Sequence, residues 1–250
     1  MRKPILAGNW KMYKTGGEGV EFAKGLKDRV AGITDREIVV CPPFTGLVSV
    51  SAAIAGTNIK LGAQNMGWEE EGAFTGEVSA KMLKETGCTY VIIGHSERRQ
   101  YFSETDETVN KRMRKALASG IIPIVCVGET LKQREEGATF AVVEAQVKKG
   151  LDGIGANEIA GLVIAYEPVW AIGTGKTASP RQAEEVHKFI RETIAAMSAD
   201  ASGKVRILYG GSIKPENIAE LMKCENIDRG LVRGASLKAD SFASIIRYDG

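Results

Sequence analysis

The 250-residue chain carries 33 basic and 31 acidic side chains, a formal net charge of +2, and 44% hydrophobic residues. That is an ordinary globular balance, long enough to bury a large core and too near neutral to present a broad nucleic-acid or membrane surface. The apolar stretch near the start is too short and too soon interrupted for a signal peptide, and no apolar run reaches the ~18 residues of a membrane span, so a cytoplasmic protein of a reducing compartment is expected.

Strands are expected wherever short β-branched apolar runs occur, and helices wherever apolar residues recur at helical spacing. The chain opens with a strand at 5–10 and an amphipathic helix at 20–30. Strands at 37–42, 59–65 and 90–94 follow, then a helix start at 95–102 and a helix at 106–119. The next strand, 121–128, leads to a helix at 140–151, and the strand at 161–167 leads to a helix at 180–197. Ser179 and Pro180 read as the N-cap and first position of that helix. A strand at 205–210, a helix beginning at 212, a strand at 229–234 and a last helix within 237–248 complete the series. The four cysteines, at 41, 88, 126 and 224, form no Cys-x-x-Cys pair, and the first three lie in or beside apolar stretches, where buried free thiols are expected.

Eight strands alternating with helices require a parallel sheet. An open doubly wound sheet competes with a closed barrel, but the count and length favour a single-domain (β/α)8 barrel over residues 1–250, with no linker dividing it. Such a barrel carries its site at the C-terminal ends of its strands. The unusual polar residues lie there: Asn9 and Lys11 after the first strand, Gln64 and Asn65 after the third, His95 after the fourth, Glu167 after the sixth, Ser212 after the seventh and Gly234 after the eighth.

Glu167 is the candidate base. It is followed by Pro168 and a Gly-punctuated apolar segment, AYEPVWAIGTGKTA, that reads as a hinged flap. Closure of a flap would desolvate the carboxylate and strengthen it as a base. His95 at a helix start has its protonated form disfavoured by the macrodipole, leaving a neutral ring that donates a hydrogen bond. Lys11 needs an anion, either Glu97 or a ligand. YGGS (209–212) and RGAS (233–236) follow the last two strands and read as phosphate loops. His187 reads as an ordinary helix-face residue, and the run Glu69, Glu70, Glu71 as a solvated stretch rather than a metal cluster.

The segments AGNWKM (7–12), GAQN (62–65), GAFTGEVS (72–79), GHSERR (94–99), VCVGE (125–129), AYEPVWAIGTGKTA (165–178) and YGGSIKPEN (209–217) resemble, in order along the whole chain, the triosephosphate isomerase family. The resemblance implies interconversion of dihydroxyacetone phosphate and glyceraldehyde 3-phosphate through an enediolate, without metal or cofactor, in glycolysis and gluconeogenesis. It makes Glu167 the base. It assigns His95, Lys11 and Asn9 to the substrate oxygens, and Glu97 as the partner of Lys11. The phosphate falls to backbone N–H groups at Gly173, Ser212, Arg233 and Gly234 under a flap spanning 168–178. The resemblance also implies a homodimer through loop 65–79, with Thr75 reaching the site of the partner subunit.

The sequence departs from the family pattern in DRGLVRGAS (228–236), where Arg229 and Arg233 stand at positions at which Gly is common. A non-Gly residue is strained there if φ must be positive. The expectation is an outward-pointing Arg233 with altered substrate affinity, ahead of a guanidinium that adds attraction for the phosphate dianion. The alternative is a phosphate-binding barrel impaired in catalysis. Another phosphate barrel, such as an aldolase, would share the phosphate loops but not GHSERR or the Glu167 segment.

Overall fold

The computed structural model describes residues 2–171 and 177–248. Eight parallel strands close into a barrel in chain order: β1 (Ile5–Asn9), β2 (Glu37–Cys41), β3 (Ile59–Ala63), β4 (Cys88–Ile93), β5 (Ile122–Val127), β6 (Val163–Tyr166), β7 (Arg206–Tyr209) and β8 (Arg229–Val232). The ring closes as Ile5, Leu6, Ala7 and Gly8 of β1 pair with Arg229, Gly230, Leu231 and Val232 of β8. The helices between them are α1 (Gly16–Val30), α2 (Leu47–Ile54), α3 (Ala80–Glu85), α4 (Ser96–Tyr101), α5 (Asp106–Ala118), α6 (Leu131–Glu135), α7 (Thr139–Gly150), α8 (Ala156–Gly161), α9 (Pro180–Met197), α10 (Ala199–Lys204), α11 (Ile218–Met222) and α12 (Ala239–Ile246).

The near-continuous apolar runs have two destinations, because successive strand residues face opposite sides. Ile5, Ala7, Val39, Cys41, Tyr90, Ile92, Ile124, Cys126, Val163, Ala165, Leu208 and Leu231 pack together as one cluster, the fill of the barrel. Their neighbours Leu6, Val40, Ile93, Val125, Ile164, Ile207 and Val232 pack against the helices in a larger cluster that includes Trp10, Phe22 and Leu26. At Gly62 of β3 a Cβ would lie 2.7 Å from Cys41 Sγ and 3.3 Å from the Tyr90 Cβ, so its neighbours fill the space a side chain would take. Cys41, Cys88 and Cys126 are buried free thiols, as the sequence suggests. His187 is fully buried in α9, and burial pushes its pKa down to about 3, which keeps the ring neutral.

Local signals hold α9 where the sequence puts it. The Ser179 hydroxyl accepts the N–H of Gln182 at 3.2 Å, and Gln182 Oε1 accepts the N–H of Ser179 at 2.9 Å. The stretch after β7 differs from expectation. No helix begins at 212; the chain turns through Asn217, which bonds the Ser212 carbonyl and the Lys214 N–H, and α11 starts only at Ile218. Asn217 supplies a local side-chain alternative to the helical ladder, which delays the helix. No helix among the described residues is long and apolar enough to cross a membrane.

Candidate active site

The first strand ends in a tight bend. Lys11 adopts φ 51°, and its N–H donates to Asn9 Oδ1 at 3.0 Å, so the Asn9 side chain stabilises a left-handed residue at the barrel mouth. Gln64 Nε2 donates to the Lys11 and Cys41 carbonyls, both at 2.8 Å, and so ties the mouths of β1, β2 and β3 together. The bend sets the Lys11 ammonium against the Glu97 carboxylate.

His95 is the N-cap of α4. Its Nδ1 accepts the N–H of Glu97 at 3.2 Å, which leaves the ring proton on Nε2. Nε2 lies 2.9 Å from Glu167 Oε1. The contact does not reach hydrogen-bond alignment, so both atoms are buried without a hydrogen-bond partner among the described residues. Such atoms are costly in a core, and their pairing marks a place built for chemistry rather than for stability.

Glu167 sits in a slot cut by glycines. Its N–H donates to the Val127 carbonyl at 2.8 Å, extending β6 against β5. A Cβ on Gly128 would lie 1.8 Å from the Glu167 carbonyl oxygen, and a Cβ on Gly210 would lie 2.9 Å from Glu167 Cγ. The second carboxylate oxygen accepts the N–H of Ser96 at 2.9 Å, a free donor of the first turn of α4. The expected rise in basicity does not hold in this arrangement. Burial does push the Glu167 pKa up, but the His95 ring, the Arg233 guanidinium and the Ser96 N–H outweigh it and hold the carboxyl at about 2.

A cavity of about 870 Å³ opens beside these groups, lined among others by Asn9, Lys11, Ser96, Glu97, Ser212, Arg233 and Gly234. Val169, Ala171 and Thr177, which flank residues 172–176, line it as well. His95 and Glu167, only 3% and 1% exposed, are not part of its wall; Ser96, bonded to Glu167, is. Gly173 lies outside the described residues. Ser212 does not begin a helix, whereas Gly234 opens a short 3-10 turn, Gly234–Leu237.

Arg233 corrects the expectation twice. Its φ is −110°, so the position needs no glycine, and its guanidinium turns inward to donate to the Gly210 carbonyl instead of pointing outward. The positive φ falls on Arg229, at 93°, whose guanidinium stacks 5.7 Å from the Tyr248 ring.

A profile of the triosephosphate isomerase family matches residues 4–249. The chain belongs to the triosephosphate isomerase family. Among its relatives, the triosephosphate isomerase of Endomicrobium trichonymphae is 59% identical over 248 residues, covering 99% of each chain. That of Citrifermentans bemidjiense is 57% identical over 249 residues, again with 99% of each chain covered. That of Moorella thermoacetica is 55% identical over 249 residues, the whole of both chains. Likeness of this extent to triosephosphate isomerases does not favour the impaired-barrel alternative.

Three members of this triosephosphate isomerase site escaped the sequence reading: Ser96, Gly128 and Glu129. Glu129 is fully buried and accepts from Tyr166 Oη at 3.1 Å, Trp170 Nε1 at 2.8 Å and Arg134 Nη1 at 3.1 Å, so it anchors the segment that follows Glu167. The only signal for Gly128 and Glu129 was the segment VCVGE, a fragment without an assigned role.

Proposed function

We propose that this chain, as one domain, interconverts dihydroxyacetone phosphate and D-glyceraldehyde 3-phosphate with Glu167 as the mobile-proton base. The observation that carries the reading is the buried approach of His95 Nε2 to Glu167 Oε1 at 2.9 Å, with neither atom hydrogen-bonded. A carboxylate and an N–H donor side by side suit proton removal next to a carbonyl. Glu167 takes a proton from the carbon beside the carbonyl. The electron pair moves into the carbonyl, and the resulting enediolate oxygen accepts a hydrogen bond from His95 Nε2. The hydroxyl proton then passes by way of the His95 ring, which gives its Nε2 proton to the enediolate oxygen and takes up the one on the adjacent hydroxyl; Glu167 returns its proton to the neighbouring carbon, the former hydroxyl becomes the carbonyl, and ketose and aldose exchange.

Asn9 and Lys11 hold the substrate oxygens on the other side, with Glu97 positioning the ammonium. The phosphate is held by backbone N–H groups of Gly173, Ser212, Arg233 and Gly234. The support for the last three is that all line the cavity that Lys11 and Asn9 also line. The segment 168–178 closes over the substrate and keeps water from the enediolate. A cytoplasmic place in glycolysis and gluconeogenesis goes with this activity. The working unit is a homodimer, with loop 65–79 as its contact and Thr75 set toward the site of the partner subunit.

The test is a coupled assay of glyceraldehyde 3-phosphate turnover. Glu167→Asp withdraws the carboxylate by one methylene, and kcat should fall about 100-fold or more. A parent that folds but does not turn over, or a variant with undiminished kcat, would remove the reading.

A further inference from the structure

Arg233 shares the cavity wall with Lys11, Lys214 and Lys238, and of these cations it alone has a buried nitrogen without a hydrogen-bond partner among the described residues. Its backbone leaves β8 and caps the 3-10 turn Gly234–Leu237 without any side-chain cap bond, so the side chain is free to do something else. It turns inward, and one edge of the guanidinium donates through Nη2 to the Gly210 carbonyl. The other terminal nitrogen, Nη1, is buried and has no hydrogen-bond partner among the described residues. The charge of the guanidinium helps hold the nearby Glu167 carboxylate ionised, but half of its hydrogen-bonding fork is unanswered among the described residues. A buried donor on a charged group without an acceptor is costly, and an anion in the adjoining cavity relieves that cost.

The place on the wall says which anion. Arg233 adjoins Gly234 and bonds to Gly210, two residues before Ser212, and Ser212 and Gly234 are the proposed holders of phosphate. Lys11, paired with Glu97, is committed elsewhere. The fork geometry of guanidinium matches phosphate oxygens, which a lone N–H does not.

We propose that the Arg233 side chain, through Nη1, is a direct binding group for the substrate's phosphate, so that this chain holds the phosphate by a fixed positive charge as well as by backbone N–H groups. This rests on the isomerase reading for the identity of the substrate, but not for the anion site itself. Two sources of the same chemistry, free inorganic phosphate and the phosphate of a triose, are distinguished by two measurements. Calorimetry with inorganic phosphate needs no turnover. The coupled assay reads KM for glyceraldehyde 3-phosphate.

In Arg233→Gln, the Kd for inorganic phosphate and the KM should both rise about tenfold, the low end of what losing one charged hydrogen bond produces. Arg233→Lys keeps the charge and loses the fork, so it should fall between the parent and Arg233→Gln. Circular dichroism melts establish that both variants are folded, and added salt should weaken phosphate binding more steeply in the parent than in Arg233→Gln. If Kd and KM of folded Arg233→Gln stay within about twofold of the parent, or if phosphate binds more tightly without the guanidinium, the assignment is wrong. A parent that binds phosphate in an Arg233-dependent way but never turns over overturns the isomerase reading and leaves this assignment standing.

Discussion

Glu167 is ionised far below neutrality because its neighbours prefer it charged: the His95 ring, the Arg233 guanidinium and the Ser96 N–H all act against the burial that would raise its pKa. A carboxyl with a depressed folded-state pKa adds stability above the ordinary carboxylate range, and that stability is lost as pH falls toward about 2. Removing the Arg233 charge should therefore move Glu167 upward. With carboxyl-labelled glutamate, 13C shifts followed downward from neutral pH should show no Glu167 step in the parent before the fold is lost. Arg233→Gln should bring that step up toward the ordinary range. A Glu167 step near about 4 in the parent would mean that these neighbours do not control it. The acid limb of kcat/KM then belongs to the substrate phosphate, with its second pKa of about 6, in parent and variant alike. The base and its His partner were visible in the sequence because both follow strands as isolated polar residues. The sign of the Glu167 shift was not, since it depends on how the His95 ring, the Arg233 guanidinium and the Ser96 N–H, from segments 72, 66 and 71 residues away in the chain, close on the carboxylate.

The ends of the strands carry most of the precision of the site. β5 and β6 approach so closely that Gly128 leaves 1.8 Å between a would-be Cβ and the Glu167 carbonyl oxygen, and that obstacle is backbone rather than a side chain that can turn away. Gly128→Ala should push the end of β6 outward and misplace the base, reducing kcat/KM about 100-fold while the far-UV spectrum stays that of a barrel. Wild-type kinetics in Gly128→Ala would show that the two strand ends separate freely. The eight strands themselves were legible because barrel fill and helix packing both demand apolar residues, so each strand reads as one run. The helix after β7 was not. Pro215 and the polar residues around it fit either a helix start or a turn, and the choice is made by Asn217 bonding backward to Ser212. The inward turn of Arg233 was equally hidden, because its attraction is to the Gly210 carbonyl on a neighbouring strand end.

At the scale of the whole molecule, the barrel leaves one side of its mouth unusually apolar. Met12 and Tyr13 follow β1, Val48 follows β2, Phe74 and Met82 follow β3, and Tyr101 and Phe102 follow β4. Those four strands are consecutive neighbours in the ring, so their loops share one half of the mouth. Met12 is 95% exposed and Val48 70% exposed, a poor state for side chains of that kind in water. Loop 65–79 rises from the same half, with residues 69–77 exposed, Thr75 among them. A second copy of the chain, related by a two-fold axis, would bury each loop against this half of the other's mouth with the same residues on both sides. The prediction is a sedimentation mass twice the 26.9 kDa of one chain at micromolar concentration. Thr75→Arg places a charged, longer side chain at the loop tip. It should shift the distribution toward the single-chain mass and lower kcat in parallel, because the half of the mouth that a partner would cover also carries Lys11 and Glu97. A chain that sediments as a monomer with full turnover would separate the active site from the apolar half of the mouth and leave those exposed side chains to some other contact.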